Sequence, residues 1–168
     1  GAEASHILVP AATDEGDDGG VAVFLLDPKT PGVTLESQRG AGAEPQARLS
    51  LENVQLGDGD LLGAPAQGGQ ILRWLVERAR AMLAAYQVGL CEEALARTAA
   101  YTAERVQFGR PIGSMQAVQH RVADGFIDLE AMRSTAMRAA WLLDQNRDAA
   151  AEIATAKYWA AIGGHRIF

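Results

Sequence analysis

Apolar and polar positions change rhythm once along the chain, near residue 66. Before that point His6–Val9, Val21–Leu26 and Val33–Leu35 are short apolar runs, partly β-branched. Ala47-Arg48-Leu49-Ser50-Leu51-Glu52 alternates apolar with polar. That is the period of a half-buried strand, because successive side chains leave a pleat on opposite faces. Turn formers separate the runs: Asp14–Gly20 reads as a solvated turn, and Asp27-Pro28-Lys29-Thr30-Pro31-Gly32 as the next. Four short strands are too little sheet to close a barrel, so 1–63 reads as an incomplete antiparallel sheet.

From Gly69 the period becomes helical. Leu72, Val76, Ala79, Leu83, Tyr86, Leu90 and Ala94 recur at steps of three and four and predict one apolar stripe. The helix is expected over 69–105, since Gly109 and Pro111 prevent its continuation. A second is expected from near Ser114, whose hydroxyl can cap free amides. Its stripe is Val118, Val122, Phe126, Leu129, Met132, Ala136, Ala140 and Leu143. Asn146-Arg147-Asp148 interrupts it, and a third helix follows with Ile153, Ala156, Ala160 and Ile167 as buried positions. Short connections predict antiparallel packing, no helix is expected in 47–56, and no sheet after 70. The fold class is α+β: a partial antiparallel β-domain over 1–66, then an incomplete antiparallel helical bundle over 67–168 with an open face. Such a face and an unfinished sheet predict an oligomer, built through the second and third helices.

Composition supports the division. Residues 1–66 hold 11 Asp/Glu against 3 Lys/Arg and five of the six prolines, whereas 67–168 hold 10 acids, 12 bases and 22 alanines. Alanine favours helix, and proline marks turns. The 168 residues are 48% hydrophobic and 21% charged, enough to build a core. A net charge of −6 argues against nucleic acid as the main ligand. No apolar run is long enough to span a bilayer or resembles a secretory signal, so a soluble cytoplasmic protein is expected. The single cysteine, Cys91, excludes an internal disulfide and reads as a small buried residue.

The richest stretch chemically is Glu104-Arg105-Val106-Gln107-Phe108-Gly109-Arg110-Pro111-Ile112. An arginine at a helix end, an aromatic and a glycine turn can hold a phosphorylated planar ligand, because guanidinium forks match phosphate oxygens and phenylalanine offers an apolar face. The competing reading is structural: Arg105 and Arg110 answer the negative end of the helix dipole, and Phe108 plugs the bundle end. Arg73, Glu77 and Arg80 share a helix face by i, i+4 and i, i+3 spacing, which by itself describes an exposed ion-pair face. His6, His120 and His165 lack ligand spacing, so no metal site is expected. Trp74, Trp141 and Trp159 read as bundle packing. Gly163-Gly164 either permits helix contact or ends the helix.

Glu104-Arg105-x-Gln107-Phe108-Gly109-x-Pro111-Ile112-x-x-x-Gln116-Ala117-Val118-Gln119-His120 resembles, without a gap, the signature of the acyl-CoA dehydrogenases. The resemblance is close over 69–145 and looser over 1–63. It implies the second half of the family's central β-domain followed by three helices of its C-terminal four-helix bundle. It also implies FAD, held at a subunit interface that the loop after the first bundle helix reaches from the partner subunit. Arg105 is then expected at the pyrophosphate, Gln107 beside it, Phe108 against the cofactor, and Met115 with Gln116 on the adenosine side. Glu77 and Arg80 fall on the turn that contacts acyl-CoA. Arg110, beyond the glycine turn, has no role that the resemblance defines.

The family's catalytic glutamate usually stands near the end of the bundle, in a part this chain lacks. Some members carry it on the first bundle helix, where this sequence has Ala79. The catalytic residue is therefore unknown, and the chain alone is expected to be inactive. The resemblance implies a flavin-dependent oxidoreductase of lipid metabolism, acting by α,β-dehydrogenation of an acyl-CoA thioester as a homodimer or homotetramer. Two alternatives stand beside it: a non-catalytic partner subunit in a hetero-oligomer of the same fold, and a helical interaction module without flavin.

Overall fold

Two antiparallel hairpins precede three long helices in the computed structural model, which describes residues 3–13, 20–40, 42 and 45–168. The expected turn at Asp14–Gly20 falls largely outside the described residues. The chain divides into two compact units, Gly1–Leu75 and Val76–Phe168.

In the first unit, β1 (Ile7–Thr13) pairs with β2 (Gly20–Leu26) from Ile7↔Leu26 to Thr13↔Gly20. Then β3 (Val33–Gln38) pairs with β4 (Gln46–Leu51) from Val33↔Leu51 to Gln38↔Gln46. The antiparallel class is as expected, with the strands shared between two ladders rather than joined in one. Alternation in β4 places Ala47 and Leu49 half-buried and leaves Arg48 exposed. Ala22, Val23 and Leu26 of β2 form the buried centre, and Leu62 donates to the Val23 carbonyl at 2.9 Å. Gly68 opens the first helix against β2, where a Cβ would collide with the Val21 carbonyl oxygen.

The helices are α1 (Gly68–Glu104), α2 (Gln116–Asp144) and α3 (Ala150–Ile167). Within the second unit, Arg138 faces Glu152 and Gly163 faces Met132, so α2 and α3 run antiparallel. The core joins Ala84, Val88 and Cys91 of α1 to Leu129, Met132, Ala136, Ala139 and Leu142 of α2 and to Ile153, Ala156 and Ala160 of α3. Small side chains here let the helices approach closely. Gly163 and Gly164 are buried inside α3, which continues to Ile167, so the glycine pair permits contact and does not end the helix.

Several sequence expectations need correction. The α1 stripe is rotated: Ala79, Leu83, Tyr86 and Leu90 are exposed, and Ala81, Ala84, Val88 and Cys91 are buried instead. Apolar residues surround α1 on nearly every side, so spacing alone does not select a face. In α2, Phe126 and Ala140 face solvent, while Gly125, Asp128, Ala139 and Leu142 join the buried side. Ser114 does not cap α2; its hydroxyl donates to the Pro111 carbonyl at 2.7 Å, and Met115 is the N-cap. Finally, a short ladder follows residue 70, formed by β5 (Val106–Gln107) and β6 (Arg110–Pro111). Of the tryptophans, only Trp159 packs on the helical core; Trp74 and Trp141 are about half exposed, Trp141 beneath the guanidinium groups of Arg138 and Arg147.

Candidate functional site

The β5–β6 hairpin begins where α1 ends. The Arg105 N–H still reaches the Tyr101 carbonyl at 2.9 Å, as a helical residue does, but the Arg105 carbonyl accepts from Ile112 N–H at 2.8 Å. The chain therefore leaves the helix and pairs with itself, Val106 with Pro111 and Gln107 with Arg110. Phe108 and Gly109 make the turn with φ of +53° and +76°. Two left-handed residues match the twist of a tight hairpin, and glycine adopts that conformation freely. Phenylalanine does not; the conformation costs it about 1–2 kcal/mol. Its ring is nonetheless 91% exposed, so a strained aromatic is presented to the surroundings with no packing in return.

Arg105, Gln107 and Arg110 are exposed, Met115 is half-buried and Gln116 opens α2. The five residues expected at a cofactor thus gather around one hairpin. Glu77 is half-buried and Arg80 exposed, well up α1. No ion pair joins Arg73, Glu77 and Arg80, so the ion-pair face that their spacing describes does not form. At 1.5 Å per residue, Arg80 and Glu104 stand roughly 36 Å apart along the helix. One chain does not bring its two groups of candidate residues to a single small molecule.

Sequence reasoning missed two features. One is an apolar cleft of about 890 Å³ between α1 and α2, walled by Leu95, Ala99, Val118, Val122 and Phe126. At its rim, Arg133 bridges Glu92 at 3.0 Å and Glu130 at 3.2 Å, and those hydrogen bonds raise the guanidinium pKa still further. The other is Asp128, a buried carboxylate at 3.2 Å from Arg166. Its signal was a polar residue recurring in step with Leu129 and Met132. Cys91 is buried as expected; burial pushes its thiol pKa up, opposed by the Gln87 side-chain amide at 3.6 Å.

Residues 66–167 match the family described as acyl-CoA dehydrogenase, C-terminal domain. The chain belongs to the acyl-CoA dehydrogenase family, whose members are FAD-binding oxidoreductases. It is 37% identical to acyl-CoA dehydrogenase FadE27 of Mycobacterium tuberculosis, covering 99% of this chain and 45% of that protein. Among solved structures, it is similar to a chain of the ChsE4–ChsE5 complex from M. tuberculosis, with a TM-score of 0.92 and 38% identity over 99% of this chain and 43% of that one. A glutaryl-CoA dehydrogenase solved with glutaryl-CoA superposes with a TM-score of 0.92 at 31% identity, over 99% and 43% of the two chains. The chain thus spans less than half the length of these relatives.

Proposed function

We propose that this chain is part of an FAD-dependent acyl-CoA dehydrogenase that introduces a double bond between the α and β carbons of an acyl-CoA thioester. The observation carrying the proposal is the hairpin: an exposed aromatic held in a strained turn, beside arginines that meet no carboxylate among the described residues. The residues fit the cofactor's chemistry, since a diphosphate needs cations and directional donors, and flat rings need an apolar face. Arg105 holds the diphosphate, Gln107 donates beside it, Phe108 covers a ring, and Met115 with Gln116 flank the adenosine. Bound flavin supplies the hydride acceptor. Glu77 and Arg80 serve the acyl-CoA side.

The separation of roughly 36 Å along α1 favours a site completed by a second subunit, so that each hairpin serves a neighbour's cofactor. The working assembly is a homodimer or homotetramer, with 1–66 as a partial β-domain and 67–168 as an incomplete bundle. The likeness to a chain of the ChsE4–ChsE5 complex favours a second reading, a hetero-oligomer in which this chain supplies the hairpin and another supplies the base. Ala79, which cannot abstract a proton, agrees with that reading.

The test is flavin retention. Arg105→Ala in the full-length protein should lower the FAD-to-protein ratio after gel filtration while the melting temperature stays within a few degrees. Arg97→Ala is the control, because Arg97 is exposed and pairs with its helix neighbour Glu93. Equal flavin content in wild type and both variants overturns the proposal.

A further inference from the structure

We propose that Arg110 is a second cation of the diphosphate site that Arg105 begins, so that the two strands of the hairpin grip one diphosphate from both sides. The inference rests on the reading of the hairpin as cofactor-contacting. Its source is the register. Paired residues in an antiparallel ladder project to the same face, and faces alternate along each strand. Gln107 pairs with Arg110, and Val106 with Pro111. Arg105 lies just outside the two paired rungs, its carbonyl accepting from Ile112 N–H while its own N–H stays with Tyr101, and strand alternation carried back from Gln107 puts it on the first face. Arg105, Gln107 and Arg110 therefore share one face, and Val106 and Pro111 occupy the other.

Among the described residues neither Arg105 nor Arg110 meets a carboxylate. From Arg105 to Ala123 the sequence contains no Asp or Glu, so Glu104 is the one acid adjoining the hairpin on its N-terminal side, set against two arginines. The helix dipole does not account for Arg110, because its influence is confined to the last turn and Arg110 lies beyond it on the returning strand. Arg105 borders the two-rung ladder and Arg110 lies in it; both are exposed, so one anion approaching the hairpin meets both charges. A diphosphate offers an oxygen cluster on each phosphorus, one for each guanidinium fork.

The experiment measures FAD affinity of the full-length protein by flavin fluorescence at several salt concentrations. Arg110→Gln should weaken binding roughly five- to twentyfold and flatten its salt dependence, the loss of one charge-assisted contact. Arg110→Lys should recover part of the affinity and the full salt dependence, because it keeps the charge and loses the fork. An unchanged melting temperature is expected, since the side chain is exposed. Wild-type affinity and salt dependence in Arg110→Gln, alongside flavin loss in Arg105→Ala, overturn this inference and leave the proposed function intact. Full retention by both variants overturns both.

Discussion

Arg166, in the last turn of α3, reaches across to Asp128 on α2, its Nε lying 3.2 Å from the carboxylate. The two sides of the pair are unequal: the Asp128 side chain is 5% exposed and that of Arg166 55%. Removing each partner therefore leaves a different problem. Arg166→Ala abandons a buried carboxylate and should cost about 2–3 kcal/mol. Asp128→Ala leaves an arginine that water can solvate, and should cost roughly 1 kcal/mol. Urea denaturation of both variants checks the order, and equal losses would refute the asymmetry.

Cys91 has no exposed surface, so its thiol should resist a water-soluble disulfide reagent in the native protein and react fully in urea. Burial raises its pKa above the ordinary 9.0. The unfolded chain therefore releases its proton first as pH rises, and stability falls across that window. The contribution is complete below pH 9.0 and disappears as pH climbs toward the raised value. Melting temperatures between pH 8 and 10 should decline more steeply for wild type than for Cys91→Ala.

Two glycines should respond oppositely to alanine. Gly89 has open space around it on α1, so Gly89→Ala should stabilise by up to about 1 kcal/mol through helix propensity. At Gly163 a Cβ would lie 2.5 Å from Sδ and 3.0 Å from Cγ of Met132, itself buried. Gly163→Ala should destabilise by about 1–2 kcal/mol despite the same propensity gain. Shifts of the same sign in thermal melts would contradict the packing described.

The corrected face of α1 makes a further comparison. Leu83 is 58% exposed and Met132 is 1% exposed. Leu83→Ala should change chain stability by less than about 0.5 kcal/mol, and Met132→Ala should cost about 2–5 kcal/mol. A large loss for Leu83→Ala in denaturant titrations would return that residue to the core.

The sequence by itself determined the order and kind of the elements. Periods of two and 3.6 follow from backbone geometry and need no knowledge of neighbours, so β4 and α1 were predicted to within one residue at each end. Ile153, Ala156 and Ala160 were placed correctly, since they recur at steps of three and four along α3. The glycine turn after α1 was legible as well, since its glycine and proline are local, but its pairing into a ladder was not. Which side of α1 is buried depended on tertiary packing: an alanine-rich helix is apolar almost all round, and only the arrival of small residues from α2 and α3 selects Ala84, Val88 and Cys91 over Leu83 and Tyr86. Asp128 reads as solvated until Arg166, on another helix, lies beside it. Arg110 reads as a bystander past a glycine until the ladder pairs it with Gln107. Periodicity describes each element alone, whereas partners and faces arise from contacts between residues distant in sequence.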